Sequence, residues 1–297
     1  MYYKMKHIKI NYSIIIVLLT GLLILLTVLS FQNPAIADNS GVYFESLQQR
    51  LIIEGFDKGM IKDLYNRPEV YFDFKGVSQY FVYREAKLNY DQFTSRSSIK
   101  KAKKYMGKYS TELSRAERIY DVDKKIITAI ILVETRLGKV VGNRSIISTL
   151  STMASLSDLN IRKIVWKKNS KSGQRTRKEF NKWSDRKSKW AYAELRAFIK
   201  YVNREGIDPA VINGSFAGAL GIAQFMPSSI LEFAKDGDGD GSIDLFNHAD
   251  AITSIANYLS HYGWHPGIDR KDAYKVIYHY NHSEYYVNTI LKIFELL

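Results

Sequence analysis

The sequence predicts a mostly α-helical protein, and three observations predict it. Apolar residues recur at three- and four-residue steps in several long stretches, as in Phe44-Leu47-Leu51 and Ile126-Ile130-Val133-Leu137. No strong alternating pattern marks a half-buried strand, and no repeat period stands out. With 297 residues the chain is long enough to bury a full core, as one large domain or two.

The chain starts with a targeting pattern. Lys4, Lys6 and Lys9 precede an uncharged run from Ile14 to Leu29, and Pro34 and Ala35-Ile36-Ala37 follow before Asp38. A positive region, an apolar core and an Ala-x-Ala site read as a secretory signal over residues 1–37, cleaved after Ala37. The competing reading is an uncleaved anchor, because Ile14 to Phe31 spans 18 residues, near the lower limit for a bilayer. Either way the protein is expected in the periplasm or cell envelope, with residues 38–297 as its working part. There is no cysteine, which excludes disulfides, thiolate metal sites, a cysteine nucleophile and a lipidated N-terminal Cys.

Within 38–297, Ser40 to Gly55 reads as a helix with Phe44, Leu47 and Leu51 on one face and Gly55 closing it. Asn66-Arg67-Pro68 breaks the chain before a short, extended aromatic piece around Val70 to Phe74. Ile99 to Tyr120 reads as one long helix, carrying Ala102, Met106, Tyr109 and Leu113. A helix from Ile126 to Gly138 follows, capped by Asp121 or Asp123, and then Ser145 to Leu156, rich in small and apolar residues. Arg162 to Lys189 holds twelve Lys or Arg against Glu179 and Asp185 only, with an exposed turn expected at Asn169–Gln174. A helix resumes at Trp190. After Asp208-Pro209 come a glycine-rich passage and a turn at Met226–Ser229, and helices over Ala249–Tyr262 and Lys271–Leu297 close the chain.

The basic segment carries nearly all of the positive charge outside the leader. In an exported protein it implies an anionic partner, a wall polymer or phospholipid surface rather than nucleic acid, or else a solvated loop with no dedicated partner.

Glu134 lies beside the apolar stripe of the Ile126–Gly138 helix. Its neighbours one turn away are Ile130, Ile131, Leu137 and Gly138, so its own helix offers no cation. A carboxyl in that position is partly desolvated and holds its proton to higher pH, as a general acid must near neutrality. The alternative is an ordinary Glu at the solvated edge of a buried helix.

The most specific local motif is Asp236-Gly237-Asp238-Gly239-Asp240-Gly241-Ser242-Ile243. Carboxylates at positions 1, 3 and 5, glycine at 6 and an apolar residue at 8 form the first half of an EF-hand calcium loop, with Ser242 at 7 offering its carbonyl. Position 12 is Asn247 rather than Glu. Asp250 takes that role if the loop is longer; the alternative is a metal-free Asp/Gly turn. Gly214 to Pro227 has glycines for close backbone approach but no P-loop lysine, leaving Ser215 and Gln224 as its polar groups. Tyr278, Tyr280, Asn281, Ser283, Tyr285 and Tyr286 form a polar-aromatic cluster suited to sugar rings, although structural tyrosines are the commoner case.

Taken together, these residues resemble the membrane-bound lytic murein transglycosylase B family. Val133–Gly138 looks like its catalytic Glu motif, Gly214–Ser229 like its glycine-rich motif, Asp236–Asp250 like its long EF-hand-type loop, and Tyr280-Asn281 with Ser283 and Tyr286 like its Tyr-Asn motif. The four occur in family order. The resemblance implies an all-α, lysozyme-like fold, with a helical part at 38–120 and a catalytic core at 121–297. That core would carry a basic insertion at 161–189 and the calcium loop at 236–250.

The implied reaction is non-hydrolytic cleavage of the β-1,4 bond between N-acetylmuramic acid and N-acetylglucosamine, leaving 1,6-anhydromuramoyl ends. Glu134 would be the catalytic acid and then base. Ser215, Gln224, Tyr280, Asn281 and Tyr286 would hold the glycan strand of peptidoglycan, and Asp236, Asp238, Asp240, Ser242 and Asp250 would hold a structural calcium. One carboxyl acting twice needs no second carboxylate, and none lies in the motifs expected at the cleft. A hydrolytic muramidase on the same fold and a non-catalytic wall-binding protein are the alternatives. The long basic segment and the missing anchor cysteine depart from the family pattern.

Overall fold

Helices account for nearly all the regular structure of the computed structural model, which describes residues 40–82, 89–169 and 176–297. The secretory reading of residues 1–37, and all but the first residue of the Asn169–Gln174 turn, lie outside the described residues. Ser40–Leu297 form one unit. No helix among the described residues is long and apolar enough to cross a membrane.

Helix α1 (Ser40–Ile53) buries Phe44, Leu47 and Leu51, as its spacing predicts. Helix α2 (Lys58–Tyr65), absent from the sequence reading, starts where the Asp57 carboxylate accepts the Met60 amide at 2.7 Å. The aromatic piece at Val70–Phe74 forms no strand. Phe72 packs against Tyr43, Phe44 and Phe74, with ring centroids 4.5 to 5.6 Å apart, and Phe74 opens α3 (Phe74–Val82).

The helix predicted over Ile99–Tyr120 is two, α4 (Arg96–Lys108) and α5 (Ser110–Tyr120). They meet at Tyr109, which leaves helical geometry (φ −109°, ψ 34°) and stacks its ring on His248 at 4.2 Å. A tertiary contact there overrides a continuous local pattern.

Helix α6 (Lys124–Thr135) is capped by Asp123, whose carboxylate accepts the Lys125 amide at 2.8 Å. It is not the one-sided stripe that the sequence suggested. Ile126, Ile127, Ala129, Ile130 and Ile131 are all fully buried, whereas Val133 and Leu137 are only partly so. The helix is central, with α4 and α5 against it together with two later helices, α11 (His248–His261) and α13 (Glu284–Leu296). It also stops before the predicted Gly138. Arg136, Leu137 and Gly138 all take positive φ (51°, 64° and 81°), and the Arg136 and Leu137 amides reach back to the Leu132 and Ile131 carbonyls at 3.1 Å.

Beyond α6, β1 (Arg144–Ser145) pairs antiparallel with β2 (Asn213–Gly214). Helix α7 (Ile146–Ala154) follows β1, then α8 (Leu159–Asn169) and α9 (Arg177–Glu205). Helix α9 packs along α7 and buries Leu195, Phe198, Ile199 and Val202. It begins well before the predicted Trp190, at a capping box in which Thr176 and Glu179 each bond the other's backbone amide. The basic segment is therefore largely helical. Part of its charge serves the fold: Arg162 is buried and pairs with Asp185 at 2.7 Å, and Lys187 donates to the Tyr80 hydroxyl at 2.7 Å.

Helix α10 (Pro227–Phe233) starts at the predicted turn, where the Glu194 carboxylate of α9 accepts the Ser228 amide at 2.9 Å and its hydroxyl at 2.8 Å. The predicted closing helix, Lys271–Leu297, is also two: α12 (Arg270–Tyr280) and α13. The chain breaks at Asn281–Ser283, where the Ser283 hydroxyl caps α13.

Candidate active site

Glu134, in the last turn of α6, is half-buried and faces a cleft of about 380 Å³. The opposite wall comes from the glycine-rich passage, with Ser215, Phe216 and Gln224 lining it. That passage is a folded loop rather than a helix. Leu220 bridges antiparallel to both Gly214 and Phe225, and the Ser215 hydroxyl accepts the Ala217 and Ala219 amides at 3.3 and 3.0 Å. Gln224 takes φ 49° and donates its side-chain amide to the Val141 and Gly221 carbonyls at 3.1 and 2.8 Å.

Gly142 explains how the two walls come so close. Its φ is 93°, and a Cβ there would meet the Gly214 carbonyl oxygen at 2.1 Å. Only glycine lets the β1 segment lie against β2, and that pairing carries Ser215 to the Glu134 side.

The tyrosine cluster stands elsewhere than expected. Tyr286 is 2% exposed, so it is not a sugar platform. It lies parallel to Tyr280 (ring centroids 6.4 Å apart, interplanar angle 6°), both near the Glu134 carboxylate. Burial first, and then the Glu134 charge, hold both phenols well above their ordinary pKa, so both stay protonated. The Tyr280 hydroxyl donates to the Ala223 carbonyl at 2.6 Å. The Tyr286 hydroxyl closes no hydrogen bond of good geometry, although the Glu134 carboxylate is near enough to draw on it as an acceptor. Asn281 ends α12, with its carbonyl accepting the Ser283 amide at 2.8 Å, and it is not among the residues lining the cleft. Thus the structure joins Glu134, Ser215 and Gln224 in one cleft and puts Tyr280 and Tyr286 behind the carboxylate.

Sequence reasoning missed Gln79, Asn143 and Arg144, which also line the cleft. Arg144 bonds the Gln79 carboxamide at 2.7 Å and pairs with buried Asp73 at 3.2 Å, so α3 is tied to β1 across the cleft's edge. No local pattern marks Gln79. Arg144, just after Gly142, could have been found by asking what a close-approach glycine delivers. Among the described residues, Glu134 is the only carboxylate lining the cleft.

The acidic loop lies apart from that chemistry. Carboxylate oxygens of Asp236, Asp238 and Asp250 come within 4.8 Å of one another; Asp240 is not part of this group and accepts the Ser242 amide instead. Asp250 is buried on α11, where burial and then the charges of Asp238 and Asp236 raise its pKa against the pull of the Gly237 and Asp244 amides. Three hard oxygen donors held at one point, one of them buried, fit a divalent cation. Asp250 reaches the other two from α11.

Comparison with known proteins gives the family and the fold. Membrane-bound lytic murein transglycosylase B of Escherichia coli K12 is 34% identical over 176 residues, which is 59% of this chain and 41% of that protein. The chain thus matches less than half the length of that curated relative. Soluble lytic transglycosylase SltB1 of Pseudomonas aeruginosa superposes with a TM-score of 0.68 at 22% identity, over 87% of this chain and 97% of that one. E. coli SLT35 in complex with calcium gives 0.66 at 23%, over 86% and 92%. At these identities the structural likeness is one of fold, and it bears out the all-α, lysozyme-like class. The family model described as "Transglycosylase SLT domain" matches residues 42–273, most of the sequence, and the chain belongs to that family.

Proposed function

We propose that the protein is a lytic transglycosylase of bacterial peptidoglycan, cutting the N-acetylmuramic acid–β-1,4–N-acetylglucosamine bond without water. The observation that carries this reading is that Glu134, facing the Ser215 and Gln224 wall, is the single carboxylate lining the cleft among the described residues. An inverting or retaining hydrolase uses two carboxylates flanking the bond. An intramolecular attack needs one. Glu134 in its acid form gives a proton to the departing glycosidic oxygen as the C1–O bond breaks. The carboxylate left behind takes the proton of the muramoyl C6 hydroxyl as that oxygen closes on C1, restoring the acid. Tyr280 and Tyr286 keep water from the back of the carboxyl, and Ser215 and Gln224 offer polar atoms to the sugar and its N-acetyl group.

Calcium is the ion that best fits Asp236, Asp238 and Asp250, as a hard cation for carboxylate oxygens. Asp240 and the Ser242 carbonyl would complete the shell. Its role is structural, clamping the loop to α11. The lysine-flanked apolar leader supports export to the envelope, where the substrate is. The helical part at 38–120 and the core at 121–297 would then form one exported body.

Mass spectrometry of digested wall tests the reaction. Anhydromuramoyl ends are expected from the native protein and none from Glu134→Gln. Reducing muramoyl ends would establish the muramidase instead, and unchanged cleavage by Glu134→Gln would remove Glu134 from its role.

A further inference from the structure

A second cavity, larger than the cleft at about 550 Å³, lies between α4, the Arg136–Lys139 loop and the start of α11. The two cavities share no lining residue. Leu132 lines it, and Leu132 points roughly 200° around α6 from Glu134, two residues on. This cavity therefore opens on the other side of the catalytic helix.

Its chemistry is one-sided. Lys101, Lys104, Lys108, Arg136 and Lys139 line it, and among the described residues no Asp or Glu does. Lys101, Lys104 and Lys108 stand at i, i+3 and i+7 on one face of α4, within about 10 Å along the axis, so their flexible ends can converge on one group. Lys108 donates to the Tyr109 hydroxyl at 2.8 Å and Arg136 to the Gln92 carboxamide at 2.7 Å. Lys101, Lys104 and Lys139 have no hydrogen-bond or ion-pair partner among the described residues.

The floor is built rather than incidental. His248 accepts or donates at Nδ1 to the Tyr105 hydroxyl at 2.9 Å and is stacked by Tyr109. Gly138 lies so close that a Cβ there would meet the His248 ring at 2.7 Å. Phe93, Leu132 and Leu137 add apolar wall.

Like charges gathered in a concave site repel one another unless an anion joins them, and the low-dielectric walls strengthen its field. A single carboxylate is a poor match to such density, whereas a phosphate carries up to two charges and several acceptor oxygens at one point. We propose that this cavity is a second ligand site, separate from the glycan cleft, for a phosphate ester whose organic part rests on Phe93, Leu132 and Leu137.

The test is thermal melting of the full exported chain with sodium pyrophosphate, with sodium chloride at equal ionic strength as the control. A Tm rise of about 4 °C is expected near tenfold the Kd, against none with chloride. The exposed pair Lys101→Gln/Lys104→Gln should melt as the native protein does in chloride and lose most of that rise. A soluble ester, glycerol phosphate, and phosphatidylglycerol vesicles at equal phosphate then tell a free ligand from a lipid headgroup. Protection by either, lost in the variant, supports the site. No pyrophosphate effect beyond chloride, or an equal effect in the variant, overturns the proposal. So does stabilisation by a free wall peptide but not by pyrophosphate. None of these readouts depends on wall cleavage, so the site stands or falls apart from the proposed activity.

Discussion

Replacing Gly142 with alanine should both destabilise the protein and pull the cleft apart, and the two costs can be separated. The backbone at Gly142 has φ 93°, a region that costs an L-residue about 1–2 kcal/mol. The new Cβ would also meet the Gly214 carbonyl oxygen at 2.1 Å, its carbon at 2.2 Å and the Ser215 amide at 2.7 Å. These are backbone atoms with no rotamer to give way, so relief requires a main-chain shift, worth about 1–3 kcal/mol. The sum, about 2–5 kcal/mol, corresponds to roughly 5–15 °C in Tm for a chain of this size. Gly55 is the control, with φ 94° and nothing within 4 Å of its notional Cβ. Gly55→Ala carries the torsional cost alone and should lose only a few degrees. The same shift in Gly142→Ala moves Ser215 relative to Glu134, and a displacement near 1 Å costs about a hundredfold in rate. Equal melting of the two variants, by calorimetry, would refute the close-approach argument. Wild-type cleavage by Gly142→Ala would refute the link from that contact to catalysis.

Glu134→Gln should lower wall cleavage at least about a hundredfold while leaving Tm nearly unchanged, measured by anhydromuropeptide release and calorimetry. Tyr286→Phe removes a buried hydroxyl lacking a good hydrogen bond, so stability should hold or rise by about 1 kcal/mol while activity falls; a large loss of stability would show that the hydroxyl is well bonded. Calcium added to chelated protein at a hundredfold its Kd should stabilise it by about 2.7 kcal/mol, and Asp250→Asn should abolish that gain; a melting curve indifferent to calcium would count against the site. Asp208 receives a two-pronged bond from Arg67 at 2.7 and 3.0 Å, which, with the Ala210 amide, holds its pKa below the ordinary value. A depressed carboxylate pKa contributes stability above the unfolded value, near 4, that is lost as pH falls through the folded value. Tm of Asp208→Asn should therefore fall less steeply below pH 4 than that of the native protein; parallel curves would exclude the pair as a contributor.

What the sequence by itself determined is what lies within a few residues of its cause. Helical spacing located α1, the body of α6 and α11. The Asp-Gly run marked a candidate cation loop, and Glu134 stood out as a candidate acid because every neighbour one helical turn away is apolar or glycine. Tertiary structure decided the rest. Tyr109 breaks a continuous helical pattern because its ring has a better partner in His248, more than a hundred residues away. The predicted one-sided stripe of α6 became burial all round, since periodicity records contrast along one helix and not how many others surround it. Asp250 reaches Asp236 and Asp238 only because α11 is docked against the loop. Tyr286, which by composition resembles a sugar platform, lies beneath the Glu134 carboxyl because α13 packs on α6. The physical reason is common to all four. Backbone dihedrals and helix caps are short-range and are written locally, whereas burial and the meeting of charges are set by which surfaces close on each other when the chain folds.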